Sequence, residues 1–444
     1  MATAQPGPTA EELRADDLRE IWSFADLEEK VEGFRSLPPA EAEELFLSLD
    51  TGAQAELLTA LPPSEQQLWV RQLPPDDAAD LLQAVAPEAR DALLRLLDDP
   101  TRREVLALLT YAEDEAGGLM SPRYVRLRPD MSVDEAIGYL RRAARERAET
   151  IYYIYVLDAE QHLLGVVSFR ELFGAAPERT VRDVMRTDVV SVREDLDQEA
   201  VAHVMAQSDL MAVPVVDAEG RVKGIVTLDD IVDVVREEAT EDFQKVGGTA
   251  ALDAPYLEVS VLGLVRKRAV WLTVLFLGQL LTATAMEFYE DAIERAVVLA
   301  LFIPLIISSG GNSGSQASTL VIRALAVGEV RLRDWWRVFV RELGTSFVLG
   351  LILGTIGLLR VVLWPSREVH FGEHFVLIGL TVSVSLVWIV VWGSLAGSML
   401  PFALRRFGLD PASASAPFVA TIVDVTGLVI YFSVATLFLS GTLL

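Results

Sequence analysis

The chain has 444 residues, room for two or three domains, and no cysteine, which excludes disulfides and thiolate metal sites. Its formal charge of −26 argues against a nucleic-acid partner, which would need clustered Lys and Arg. That charge is confined to one half: residues 248–444 hold 13 basic and 13 acidic side chains, leaving 25 basic and 51 acidic ones in residues 1–247. An acidic half joined to a neutral, apolar half suits a protein in which cations bind one part and cross the other.

Met1 to Asp17 is polar and acidic, so no cleaved signal peptide is expected. From Val31 to Tyr111 short amphipathic helices are punctuated by Leu-Pro-Pro at 37–39, 61–63 and 73–75. Proline suits a first helical turn, where its missing N–H would have no partner anyway. The pattern predicts an all-α superhelical N domain over residues 1–118, without the even spacing of a regular solenoid.

Residues 119–242 contain an internal repeat. Leu119-Met120-Ser121-Pro122 is echoed by Val184-Met185-Arg186-Thr187. Asp158-Ala159-Glu160 and Gly165-Val166-Val167-Ser168 are echoed at an offset of 59 by Asp217-Ala218-Glu219 and Gly224-Ile225-Val226-Thr227. Each copy, about 119–180 and 184–242, reads as α/β: a strand entering a helix, an apolar strand pair and a closing helix. The duplication resembles a tandem pair of CBS domains, a module that often binds adenine nucleotides or ions.

Residues 243–265 read as a Gly-Gly break and an amphipathic connecting helix, followed by an α-helical membrane domain over 266–444. Five apolar segments, 269–286, 296–326, 338–363, 375–400 and 415–441, are near or beyond the roughly 20 residues that span a hydrocarbon core. If the N-terminal half is inside, the inner loops carry Arg266, Lys267, Arg268, Arg323, Arg331, Arg333, Arg337, Arg341, Arg405 and Arg406, against Arg295, Arg360 and Arg367 outside. This bias predicts a cytoplasmic N-terminus and an outer C-terminus.

Asp424 lies about a third of the way along the last apolar segment. A carboxylate at that depth costs several kcal/mol unless it is compensated, so function is the default reading over a salt bridge, for which no basic residue lies at similar depth. A second polar interruption is Ser308-Ser309-Gly310-Gly311-Asn312-Ser313-Gly314-Ser315-Gln316. Its small residues allow close helix approach, and Asn312 and Gln316, one turn apart, offer oxygens as pore-lining candidates. On the helix closing the second repeat, Asp230, Asp233, Glu237 and Glu241 fall within an arc of about 80°. Such a row is either a solvated face or, opposite another acidic surface, a cation site; hard oxygen ligands select Mg2+, Mn2+ or Ca2+. His370 and His374, with Glu373, have metal-like spacing but no further ligand nearby. No Walker lysine and no nucleophile–base pair is present, so neither an ATP-driven pump nor an enzyme is expected.

Taken together, Glu113-Asp114-Glu115-Ala116-Gly117-Gly118-Leu119-Met120, the run Gly310 to Gln316, and Val419-Ala420-Thr421-Ile422-Val423-Asp424-Val425-Thr426-Gly427 resemble the MgtE family of magnesium channels across essentially the whole chain. The resemblance implies a homodimer in the bacterial inner membrane, with its pore between two membrane domains and a Mg2+-sensing cytosolic region. It implies that Asp424 and the Ala420 carbonyl hold Mg2+ in the pore. It also implies regulatory Mg2+ at Glu44, Asp76, Asp197, Glu199, Asp209, Asp230, Asp233 and Glu238, and at Glu241, Asp242 and Asp410 near the membrane domain. ATP as a regulatory ligand would fall to Ser168 with Glu171 and Thr227 with Asp230. The chain departs from the family pattern at Ala416, where Asn is usual, and at Leu210, where an aromatic ring is. Two other classes remain open: an ion-coupled divalent-cation transporter and a non-conducting membrane Mg2+ or nucleotide sensor.

Overall fold

The computed structural model describes residues 14–442 apart from 23, 144–151, 253, 255, 258, 366–367 and 369–370. It divides into two compact units, Met1–Glu238 and Ala239–Leu444. In the first, helices begin where the sequence puts a first-turn proline, at Pro39–Ser48, Pro63–Val70 and Pro75–Ala84. Elsewhere an aspartate caps the start: Asp26, Asp50 and Asp98 each accept an N–H from the first turn. Helices this short are marginal alone, so packing must supply their stability. Phe34, Phe46 and Trp69 provide the centre, with Trp69 5.0 Å from Phe34 and 5.5 Å from Phe46 between ring centroids.

The two repeats fold alike. The first sheet is β1 (Arg126–Leu127), β2 (Tyr153–Leu157) and β3 (Leu163–Ser168); the second is β4 (Val192–Arg193), β5 (Ala212–Val216) and β6 (Val222–Thr227). In each the first pair is parallel and the second antiparallel, with a register break at Val156/Leu157 and again at Val215/Val216. The copies also exchange their leading segments. Ser121 pairs with Ile225 of the second sheet through bonds of 2.7 and 2.9 Å, and Arg186 pairs with Val166 of the first through bonds of 2.9 and 2.8 Å. Gly165 and Gly224 permit the exchange, because a Cβ there would stand 2.7 Å from a carbonyl oxygen, that of Arg186 or Ser121.

One apolar core joins the N-terminal helices to the second repeat: Leu81, Leu82, Val105 and Leu108 belong to the same buried cluster as Met120, Val201, Met205 and Ile231. Arg123 reinforces the seam by pairing with Glu104 at 2.8 Å.

Among its described residues the second unit has five helices long and apolar enough to cross a membrane: M1 (Val261–Phe288), M2 (Val297–Ala326), M3 (Leu332–Val362), M4 (Phe375–Arg406) and M5 (Ala416–Leu439). Lipid tails are as apolar as leucine, so these helices associate by close packing rather than by a hydrophobic drive. M2 and M4 meet through glycines spaced four apart on both sides. A Cβ on Gly397 would lie 2.1 Å from the Gly314 carbonyl oxygen, and one on Gly393 2.4 Å from that of Gly310. On M3, Gly350 and Gly354 approach M4 at Val387 and Ser383 in the same manner.

Residues 243–265 are not one connecting helix. The helix of the second repeat, Leu228–Val246, runs on to Val246 and ends at Gly248, whose φ of +75° is the left-handed conformation glycine tolerates. The described residues between there and Ser260 are non-helical, and M1 starts at Val261, so Arg266, Lys267 and Arg268 lie in its first turns.

Candidate functional site

M5 begins with Ser415 as its cap, and Asp424 stands two turns further on, partly buried among the helices. M2 passes beside it. A Cβ on Gly311 would lie 3.4 Å from the Ala420 Cβ and 3.6 Å from an Asp424 carboxylate oxygen. The absent side chain thus leaves the two pore candidates bare on that side. From M1, Gln279 faces Asp424. Gly278, next to it, touches Thr421, since a Cβ there would come within 2.8 Å of its methyl. The site is therefore built from M1, M2 and M5. Gln279 was not singled out in the sequence, although an amide in the middle of an apolar span is a signal of this kind.

Asn312 and Gln316 occupy the face of M2 turned away from the helix bundle and are exposed. Asn312 donates to Ser308 at 3.3 Å. The serines between them tie M2 to its neighbours: Ser313 to Ser394 of M4 at 2.6 Å, and Ser315 to the Ala416 carbonyl of M5 at 3.1 Å. His374 precedes M4 as its capping position, while His370 lies outside the described residues.

In the first unit, the helix Pro75–Ala84 and the start of the helix Leu228–Val246 bring acidic faces together. Asp76 is buried, at 6% exposure, in the first turn of the former. Burial raises the Asp80 carboxyl to about 7, and repulsion from Asp77, Glu113, Asp230 and Glu237 adds to it. Burial likewise raises Asp230 to about 7, against hydrogen bonds from Thr227 that favour its charged form. The expected row on the second helix therefore splits. Asp230 and Glu237 reach the cluster, whereas Asp233 is exposed beside Arg236 at 3.7 Å. Glu238 accepts from Gln198 at 2.6 Å. Asp197 caps the helix Gln198–Ser208 by accepting from Glu199 N, and Asp209 ends that helix with a φ of 50°. Glu44 and Glu199 are exposed. Asp77, Asp80 and Glu113 were not among the predicted sensor positions, though the spacing of Asp76, Asp77 and Asp80 on one helix carries the signal. Among the described residues no three His, Cys, Asp or Glu side chains converge closely enough to hold a metal ion. The carboxylates supply hard donors suited to Mg2+, arranged as facing surfaces rather than a closed cage.

Glu241 and Asp410, expected to take Mg2+, are joined by Lys245: it pairs with Asp410 at 2.7 Å and with Glu241 one turn before it. The candidate nucleotide residues bond to each other. Ser168 Oγ donates to Glu171 at 2.8 Å and Thr227 Oγ1 to Asp230 at 2.7 Å, each pair bracketing the start of a helix.

Residues 303–434 match the family model of the MgtE divalent cation transporter, residues 13–114 the MgtE intracellular N domain, and residues 116–178 and 181–237 CBS domains. Fold and site thus define a multi-pass membrane transporter of divalent cations that carries a CBS pair. The chain belongs to the MgtE family. It is 48% identical over 346 residues to the magnesium transporter MgtE of Thermus thermophilus, covering 78% of this chain and 75% of that protein. To the magnesium transporter MgtE of Enterococcus faecalis it is 35% identical over 337 residues, covering 76% and 72%. A solved structure of the cytosolic domain of the Mg2+ channel MgtE in complex with ATP is 47% identical, covering 51% of this chain and 92% of that one, with a TM-score of 0.47.

Proposed function

We propose that this protein is a passive Mg2+ channel, a homodimer whose pore is lined by Asp424 and the Ala420 carbonyl of each subunit and closed by Mg2+ bound to the acidic N-terminal unit. The observation that carries this reading is Asp424, held two turns into M5 where M2 presents Gly311 instead of a side chain. A charged group inside a membrane is costly, and a passing divalent cation compensates it. Asn312 and Gln316 support a second copy across the pore. Both are polar and exposed on an apolar span, and beyond the Asn312 bond to Ser308 lipid could offer their amides no partner. An inside-negative potential favours inward movement of a doubly charged ion by about 4.6 kcal/mol per 100 mV, from roughly 2.3 per charge, so no coupled energy source is required.

Gating follows from the acidic seam. At low internal Mg2+, Asp76, Asp77, Asp80, Asp230 and Glu237 repel across it; at high Mg2+, ions between these faces remove the repulsion and favour the closed arrangement. With the N-terminal unit cytoplasmic and the C-terminus outside, the acidic surface samples the ion that has already entered. ATP at the CBS pair is a secondary ligand at most, because Ser168, Glu171, Thr227 and Asp230 already satisfy one another as helix caps.

The test is Mg2+ flux into liposomes holding the full chain, under an inside-negative potential without proton or sodium gradients, for the natural protein and Asp424→Ala. Flux lost in the variant supports the channel and its site. No flux until a proton or sodium gradient is added supports a coupled transporter instead. Equal flux in both proteins moves the pore away from Asp424.

A further inference from the structure

The end of the helix Leu228–Val246 is docked on the segment that leads into M5. Val246 packs on the cluster of Ile322, Ala412 and Ala414. Gly248 approaches so closely that a Cβ would stand 3.2 Å from Pro417 and 3.5 Å from the Ser415 hydroxyl. The same segment is tied to M2, because Ser318 donates to the Ala414 carbonyl at 2.8 Å. Whatever holds the helix end here bears on the start of the helix that carries Asp424.

Two carboxylates, Glu241 and Asp410, face this contact and would repel each other if nothing lay between them. Lys245 lies between them. It follows Glu241 by four residues on the same helix, the favourable order for such a pair, and its ammonium reaches Asp410 Oδ2 at 2.7 Å. All three side chains are about one-third exposed, at 29% for Lys245 and 34% for each acid. Asp410 is engaged on both oxygens, since Oδ1 accepts from Ala412 N at 2.8 Å. A Mg2+ ion would have to shed tightly held water and displace an ammonium that is already tethered and already making charge-assisted bonds.

We propose that Lys245 is a built-in cation that takes the place of a divalent ion between Glu241 and Asp410. It keeps the helix end seated on the M5 lead-in at low as well as high Mg2+. Sensing is thereby left to other carboxylates, and Lys245 acts as a positioning residue for the gate. In its gating consequence, this inference rests on the channel reading above.

The chain has no cysteine, so an introduced pair reports the contact directly. Val246→Cys with Ala412→Cys, in the full-length protein, should form a disulfide in chelator. Adding Lys245→Gln should slow its formation roughly tenfold in chelator, as expected for losing charge-assisted bonds, and Mg2+ should then restore it by filling the space between the two acids. Lys245→Arg, which keeps the charge, should cross-link in chelator like the parent. In liposomes, Lys245→Gln should raise the internal Mg2+ needed for half-closure. Cross-linking that needs Mg2+ with Lys245 present, or that ignores both Lys245→Gln and Mg2+, overturns the proposal. A flux assay silent in every protein defeats the channel reading while the cross-link still reads the contact.

Discussion

In the N-terminal unit Asp80 and Asp230 share a seam with Asp77, Glu113 and Glu237, and burial with mutual repulsion holds both carboxyls near 7. In the C-terminal unit Lys245 lies between Glu241 and Asp410, while a neutral amide, Gln279, faces Asp424. The first arrangement stores repulsion that a soluble cation can relieve, so its geometry responds to ion concentration. In the second, Glu241 and Asp410 carry a built-in cation and their contact can stay fixed, while Asp424 has no charged partner beside it among the described residues and, on the proposed function, is left for the permeant ion to compensate. On the proposed function, a sensor and a conduit built from the same side chain differ in what is left for the solvent to supply.

The strongest way to break this contrast is to destroy the fixed half. Gly397→Val puts a side chain against the Gly314 carbonyl, where a Cβ has only 2.1 Å. Backbone faces backbone there, so neither side can yield. The expected cost is about 3 kcal/mol or more, seen as loss of a cooperative thermal transition of the membrane domain in detergent. Retention of the natural transition would mean that M2 and M4 do not touch as described.

The responsive half is tested by pH. Asp80 and Asp230 have folded values of about 7 against an ordinary 3.8, so the native state binds more protons than the unfolded chain between those values. Their stabilising contribution is complete below about pH 4 and is lost as pH rises through about 7. In chelator, stability should fall between about pH 6 and 8 by on the order of 2 kcal/mol. Mg2+ should recover more at pH 8 than at pH 6, and Asp80→Asn should flatten both dependences. A Tm that rises with pH over this range would contradict the repulsive seam.

Gly311→Ala sharpens the comparison at the conduit. The added methyl fits, with ordinary contacts of 3.4 Å to Ala420 and 3.6 Å to Asp424, so folding should survive. It intrudes on the space beside Asp424, the proposed pore carboxylate, and Mg2+ flux should fall about tenfold, equivalent to roughly 1.4 kcal/mol. Unchanged flux would move the ion path off this face of M2. The smallest effect is expected at Gly138, which sits in the helix Val133–Ala143 with nothing within 4 Å of a built Cβ. Gly138→Ala should stabilise the N-terminal unit by about 0.5–1 kcal/mol, measured by denaturant midpoint, and leave flux alone.

Much of this architecture was legible in the residues alone. Proline pairs marked helix starts, the offset of 59 reproduced the register of both sheets down to their breaks at Val156/Leu157 and Val215/Val216, and apolar length set the five spans. These are local or periodic signals, written in neighbouring residues. Asp424 was conspicuous for the same reason, as a charge in an apolar run. The connecting region was misjudged because amphipathic spacing from Phe243 to Val265 says nothing about Gly248 turning the chain against Pro417 and Ser415. The partners of the charged groups were equally hidden. That Gln279 reaches Asp424, that Asp80 faces Asp230, and that Lys245 stands between Glu241 and Asp410 each depend on helices distant in sequence arriving side by side. Sequence determined which residues carry charge and where helices and strands run, because propensity and hydrophobic period act over a few residues. Only the tertiary structure decided which charges oppose, which are compensated and which glycines are obligatory, because Coulomb forces and close packing depend on distance through space.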